Sequence, residues 1–265
     1  LLAAAVFFGM LLGGLIVGTM GDWVGRRPML LLGLGCNAVA GVLSSLAPDV
    51  WSLSLLRCIA GIGIGATVPP LFTLATELAP PSIRGLCVTI CASFWMVGSV
   101  YVALVAMWMF QYVGLSWRMF SVACALPCAF GGILVYWFVP ESPRFLGLEQ
   151  RSMEATEVTN FVAKKMGYVG SPLTVDELAN SFPSTAIQDM ETRQLNNNSG
   201  EGALGWIRMG LKDFIHSTSK LYTADMVRTT WPLQMAWFAL SFGSYGLVTW
   251  INTIFVEVQL ENVYT

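Results

Sequence analysis

Charge is what this chain has least of. Asp, Glu, Lys and Arg make up 11% of its 265 residues, where soluble domains carry about 25%. With 55% hydrophobic residues beside them, so few charges exclude a globule of ordinary water-covered surface. The scarcity is uneven. Residues 147–228 hold 18 of the 30 charges, ten acidic and eight basic, and the other 183 positions hold six of each sign. A soluble enzyme distributes charge over its surface, so this division predicts membrane spans around one polar insert. An excess of either sign is missing too. The net charge of −2 arises in the insert and no basic stripe exists, so nucleic acid is not an expected partner. Histidine occurs once, at His216. The six cysteines, Cys36, Cys58, Cys87, Cys91, Cys124 and Cys128, all fall in apolar runs, which argues against a disulfide framework. No basic n-region or cleavage site opens the chain. Leu1 already stands inside an apolar run, so the sequence reads as an internal piece of a longer membrane protein.

Long apolar runs are what the chain has in place of charge. A bilayer core of about 30 Å needs roughly 20 residues of helix. Six stretches meet that length, at about 1–20, 29–47, 50–76, 86–110, 119–139 and 230–256. None shows the period-2 alternation of a barrel strand. An all-α, polytopic membrane bundle of six helices is therefore expected. Arg26 and Arg27 lie between the first two spans, Arg84 between the third and fourth, and Arg144 after the fifth. Of positive residues, the intervening connections carry only Arg118. By the positive-inside rule, Arg26, Arg84, Arg144 and the insert face the cytoplasm.

The insert is not uniform. Residues 149–166 have the pattern of an amphipathic helix, and Thr174 with Glu177 reads as a capping box. Residues 183–203, with Asn196-Asn197-Asn198-Ser199-Gly200, have the composition of a disordered segment. Trp206, Ile207, Leu211, Phe214 and Ile215 pattern as a helix lying on the membrane surface. Asn197 begins a glycosylation sequon. On the topology above it never meets the glycosylation machinery, and no glycosidase-sensitive mass shift at Asn197 is expected; such a shift would invert the topology.

Gly18-Thr19-Met20-Gly21-Asp22-Trp23-Val24-Gly25-Arg26-Arg27-Pro28 joins the first two spans. It resembles the signature loop between helices two and three of the major facilitator superfamily, with Trp23 where that family usually has a base. Arg57-Cys58-Ile59-Ala60-Gly61-Ile62-Gly63-Ile64-Gly65 resembles the family's fourth-helix motif. Glu77-Leu78-Ala79-Pro80-Pro81-Ser82-Ile83-Arg84-Gly85 resembles the loop that follows. Trp117-Arg118 is similar to the start of helix six. Pro140-Glu141-Ser142-Pro143-Arg144-Phe145-Leu146 resembles the sugar-porter signature that ends it. The resemblance implies that residues 1–146 hold helices two to six of an N-terminal half. It makes 147–228 the central cytoplasmic loop, and 229–265 helix seven with the start of the next loop. It also implies alternating access around a site near the membrane midplane.

Arg57 stands about seven residues inside a span, where an arginine costs roughly 2.5–3.5 kcal/mol at full depth. It is expected to face the substrate cavity and pair with a carboxylate or anion, snorkelling to the interface being the alternative. Gly18, Asp22, Gly25, Arg26, Arg27, Glu77, Arg84, Glu141 and Arg144 are the expected conformational gate, since the resemblance implies ion pairs among such loops. As solvated rim charges they would contribute only about 0–1 kcal/mol each. Gly61, Gly63 and Gly65 are expected to allow close helix packing, and Pro69-Pro70 to bend their helix. The cysteine pairs 87/91 and 124/128 are read as small packing residues.

Phe94-Trp95-Met96-Val97-Gly98 with Tyr101, and Trp237-Phe238-Ala239-Leu240-Ser241-Phe242-Gly243-Ser244-Tyr245-Gly246-Leu247, resemble the synaptic vesicle glycoprotein 2 and organic-ion branch. Where sugar porters place glutamines, this chain has Ala92 and Ser99, and Gln234 stands alone. The expected substrate cavity is Arg57, Trp95, Ser99, Tyr101, Trp237, Ser241 and Tyr245, with aromatic faces suited to organic cations and aromatic acids. The function expected is secondary transport of a small organic solute across a plasma or vesicle membrane, with a proton as the candidate coupling ion. A sugar is the alternative substrate, and a non-transporting scaffold or receptor the alternative class. No triad, metal-ligand cluster or phosphate loop is present in the sequence, so neither enzyme activity nor a cofactor or metal is expected.

Overall fold

The computed structural model describes residues 1–168, 170–182, 215–216, 218–219, 221–223 and 226–257; within its helices, the side chains of 17–19, 22–23, 244, 247–249 and 251–257 stand outside that description. Every described element is helical. They are α1 (Leu2–Val24), α2 (Arg26–Ser44), α3 (Val50–Leu78), α4 (Arg84–Met107), α5 (Trp117–Phe138), α6 (Pro143–Leu148), α7 (Ser152–Lys165), α8 (Val175–Asn180) and α9 (Val227–Glu257). All six expected spans are present as helices. Arg26–Ser44, Val50–Leu78, Arg84–Val113 and Trp117–Phe138 are, among the described residues, long and apolar enough to cross a membrane.

Local chemistry sets the boundaries. Gly25 ends α1 and begins α2 at φ +110°, a conformation that a side chain strains. The Asp49 carboxylate accepts from the Trp51 and Ser52 amides at 3.2 and 3.4 Å and from the Ser52 hydroxyl at 2.7 Å, while the Ser52 hydroxyl accepts from the Asp49 amide at 3.4 Å. That reciprocal cap opens α3. The hydroxyl holds the Asp49 carboxyl below its usual range, with help from the same amides. Beyond Met107, α4 widens into a π turn, Trp108–Val113, which Gly114 closes at φ +66°. The span expected to stop near residue 110 thereby gains three residues. Pro69 and Pro70 lie inside α3, which continues through them to Leu78.

Residues 1–211 and 212–265 form two compact units. In the first, α3 is the central helix, with α1 and α2 as its main partners and α5 on α2. Gly61 and Gly65, four apart, face α1. Their hypothetical Cβ atoms would collide with the carbonyl oxygens of Val6 and Met10. Gly9 and Gly13 of α1 return the contact against Cys58 and Ile62. Gly63 sits about 200° around α3 and faces α2, where a Cβ would lie 2.7 Å from the Asn37 amide nitrogen and 2.8 Å from the Gly33 oxygen. Alternating glycines thus let one helix touch two others backbone to backbone. By contrast, α4 buries none of its residues.

The insert begins as a folded extension of this unit. The Ser142 hydroxyl accepts from the Phe145 amide at 3.2 Å and caps α6, while Phe145, Leu146 and Ala155 are buried. Asn160 on α7 both donates to and accepts from the Leu173 backbone, at 3.0 and 2.9 Å. The Glu177 carboxylate accepts from the Thr174 amide and hydroxyl at 2.9 and 2.8 Å, as the capping box predicts; the amide and then the hydroxyl hold it below its usual range. The expected disordered segment 183–203, Asn197 and most of the expected surface helix (206–214) lie outside the described residues. The second unit is described through α9, where the Tyr222 hydroxyl donates to Gln234 Oε1 at 2.6 Å.

Candidate functional site

Three connections separated in sequence meet at one end of the first unit: the α1–α2 turn, the end of α3 and the α5–α6 segment. The Glu141 carboxylate lies over the N-terminus of α2. Its Oε1 accepts from the Arg26 amide at 3.1 Å, and both oxygens accept from the Arg27 amide at 3.2 Å. Its own neighbour Ser142 adds an amide at 2.8 Å. The first amides of any helix lack intrahelical partners, and the partial positive charge there favours an anion. Gly25 makes room for the carboxylate, because a Cβ there would lie 2.5 Å from Glu141 Oε2 and 3.2 Å from the Phe145 ring.

The arginine side chains turn elsewhere. The Arg26 Nε lies 3.4 Å from Glu77 Oε2, with both side chains about 10% exposed. The Arg26 guanidinium sits 5.3 Å from the centre of the Phe145 ring and donates to the Gly21 carbonyl at 3.5 Å. Arg27 donates to the Tyr136 carbonyl at 2.6 Å and stacks 5.7 Å from that ring. The structure therefore brings Gly25, Arg26, Arg27, Glu77 and Glu141 together. Arg84 and Arg144 are exposed and, among the described residues, join no ion pair. Gly18 stands on α1 and Asp22 near its end, the Asp22 side chain lying outside the described residues. Ion-pair reasoning does not anticipate the contact of Glu141 with backbone amides, because backbone amides carry no residue type in the sequence.

About two turns into α3, Arg57 donates to the buried Ser121 hydroxyl of α5 at 3.0 Å. Among the described residues it forms no salt bridge. Ser121 is a partner that sequence reasoning missed, since a lone serine in an apolar run carries no signal. Asn37 on α2 donates to Cys128 Sγ at 3.2 Å. All six cysteines are free thiols, and no metal-binding cluster occurs among the described residues.

Of the expected cavity residues, Trp95, Ser99 and Tyr101 stand on α4 and are exposed. The Ser99 hydroxyl donates within its own helix to Trp95 O at 3.1 Å, and the Tyr101 hydroxyl donates to the Ala123 carbonyl of α5 at 3.4 Å. A groove of about 450 Å³ lies between these helices, lined by Phe94, Val97, Gly98 and Tyr101 from α4 and by Leu126, Pro127 and Phe130 from α5. Trp237, Ser241 and Tyr245 stand on α9 in the second unit. Arg57 is half-buried and lies on a different helix from the α4 aromatics.

A family model described as "Sugar (and other) transporter" matches residues 1–201. The chain is similar to synaptic vesicle glycoprotein 2C of Rattus norvegicus, at 28% identity over 98% of this chain and 37% of that protein. It is similar also to synaptic vesicle glycoprotein 2B of Homo sapiens, at 29% identity over 98% of this chain and 40% of that protein. The chain thus spans about two fifths or less of the length of these relatives. Among solved structures, the inward open xylose transporter XylE from E. coli superimposes with a TM-score of 0.53 at 23% identity, over 76% of this chain and 46% of that one. Its partially occluded inward open form gives 0.50 at 25% identity, over 74% and 48%.

Proposed function

The chain belongs to the sugar (and other) transporter family, and from that premise we propose that it is part of a secondary transporter that moves a small organic solute by alternating access. The observation that supports this reading most is the junction at one end of the first unit. The connections after the first, third and fifth spans are tied there through Arg26–Glu77 and through Glu141 on the α2 amides. A gate must hold one membrane face shut and still release. Buried, charge-assisted contacts between separate loops do this better than rim charges. We place this junction and residues 147–228 on the cytoplasmic side, from the positive residues of the same loops.

An organic ion or an aromatic acid is the favoured substrate class. Trp95, Tyr101, Trp237 and Tyr245 offer aromatic faces, Arg57 offers a cation to an acid, and Ser99 stands where a sugar-binding glutamine would be expected. A hexose is the second reading, favoured by the family that the model describes and by Pro140-Glu141-Ser142-Pro143-Arg144. The test is uptake by the full-length protein in proteoliposomes, with organic cations, aromatic acids and hexoses offered with and without a pH gradient. Organic-ion or aromatic-acid uptake is expected. Arg57→Ala is expected to lower it about tenfold or more while membrane insertion stays intact, as loss of a charged hydrogen-bond donor in a low-dielectric site implies. Hexose uptake blocked by Trp95→Ala would reverse the ranking, and full activity of Arg57→Ala would remove Arg57 from the site.

A further inference from the structure

The α4–α5 pair carries a break in the helical hydrogen bonding of α5. Pro127 lies inside α5. Proline has no amide proton, so the carbonyl four residues earlier, that of Ala123, loses its helical donor. Inside a membrane no water replaces it, and an unsatisfied carbonyl there is strongly unfavourable. A donor reaches it from the other helix: the Tyr101 hydroxyl, at 3.4 Å. Around this contact α4 and α5 line an open apolar groove of about 450 Å³ with Pro127 in its wall. A Cβ built on Gly98, in the same groove, would meet nothing within 4 Å, so α4 has room to approach α5.

We infer that Tyr101 is a positioning residue: it supplies the donor that Pro127 denies to Ala123, and so pins α4, the least packed of the spanning helices of its unit, to the proline break of α5. At 3.4 Å the bond is longer than the usual 2.5–3.0 Å of hydroxyl donors. This inference concerns how α4 is held and does not rest on the transport reading, and its test needs no substrate.

The logic predicts a coupling. Replacing Pro127 with a residue that has an amide proton returns the helical donor to Ala123, and Tyr101 then has nothing left to satisfy. In the full-length protein freed of native cysteines and held in lipid nanodiscs, Val97→Cys and Phe130→Cys place thiols on the two sides of the groove. Their crosslinking by a short bis-methanethiosulfonate reports α4–α5 separation, with single-cysteine labelling rates as the control for reactivity. Tyr101→Phe is expected to slow crosslinking about threefold or more, the loss of one hydrogen bond, and to change it little when Pro127→Ala is also present. Equal slowing in both backgrounds would reduce Tyr101 to a packing residue and overturn the inference. Where Pro127→Ala yields no folded protein, Pro127→Leu, which also restores the amide, takes its place. A wild-type crosslinking rate in Tyr101→Phe alone overturns the inference whatever becomes of the Pro127 variants.

Discussion

Gly61→Leu is expected to leave almost no monodisperse full-length protein after extraction from the membrane. A side chain at residue 61 has no rotamer that escapes, because its first atom already collides with the Val6 carbonyl and lies 3.1 Å from the Val6 Cα, both backbone atoms of α1. Backbone cannot swing aside as the end of a lysine can, so the helices must separate. Separation also undoes the matching contacts of Gly9, Gly13 and Gly65, which lie along the same seam. Overpacking one site in a well-packed core costs about 1–3 kcal/mol, and here the whole α1–α3 seam takes the strain. Gly61→Ala is expected to lower the thermal midpoint measurably, and Gly61→Leu to abolish the folded peak in fluorescence-detected size exclusion. The control is Gly35→Ala on α2, where a Cβ meets nothing within 4 Å. That change removes the conformational freedom of a helical glycine and is expected to be neutral or stabilising by up to about 1 kcal/mol. If Gly61→Leu ran as a monomer with an unchanged midpoint, or Gly35→Ala were equally harmful, glycine packing would not be what holds α1 to α3.

The architecture was legible because membrane spans and caps rest on one-dimensional rules. Length and apolarity predict each spanning helix. Asp49 with Ser52 and Thr174 with Glu177 carry a cap at fixed spacing, needing no partner from elsewhere. The glycine alternation at 61, 63 and 65 was legible as close packing, yet its assignment of alternate glycines to α1 and α2 depends on which helices stand on either side. The site was less legible for the same reason. Arg57 announces itself as a charge in an apolar run, but Ser121, 64 positions away, is an ordinary small residue until the fold sets it 3.0 Å from that guanidinium. Ion-pair reasoning grouped Glu77, Arg84, Glu141 and Arg144 by charge sign. The backbone amides of α2, which receive Glu141, have no letter in the sequence.

If the protein works by the alternating access proposed above, Glu141→Gln is expected to shift the balance between inward-open and outward-open states by roughly 30-fold, the equivalent of about 2 kcal/mol for hydrogen bonds to a charged group. A glutamine keeps the size of the side chain but turns one acceptor into a donor, facing the Arg26, Arg27 and Ser142 amides that now receive a carboxylate. It also removes the negative charge that the α2 N-terminus favours. If the contact closes the cytoplasmic face, its loss populates the inward-open state, and labelling of a single outer cysteine by an impermeant maleimide falls accordingly. The decisive companion is Gly25→Ala, which alters no charge. Its Cβ would stand 2.5 Å from Glu141 Oε2, and its backbone would be strained at φ +110°, so it is expected to displace the carboxylate and reproduce the Glu141→Gln shift. An ion-pair gate predicts the opposite order, since Arg26 with Glu77 would carry the effect and Gly25→Ala would leave labelling unchanged. Combining Gly25→Ala with Glu141→Gln separates the two accounts. Where the carboxylate on the α2 amides is the working contact, the double variant labels like either single one, because the second change has nothing left to remove.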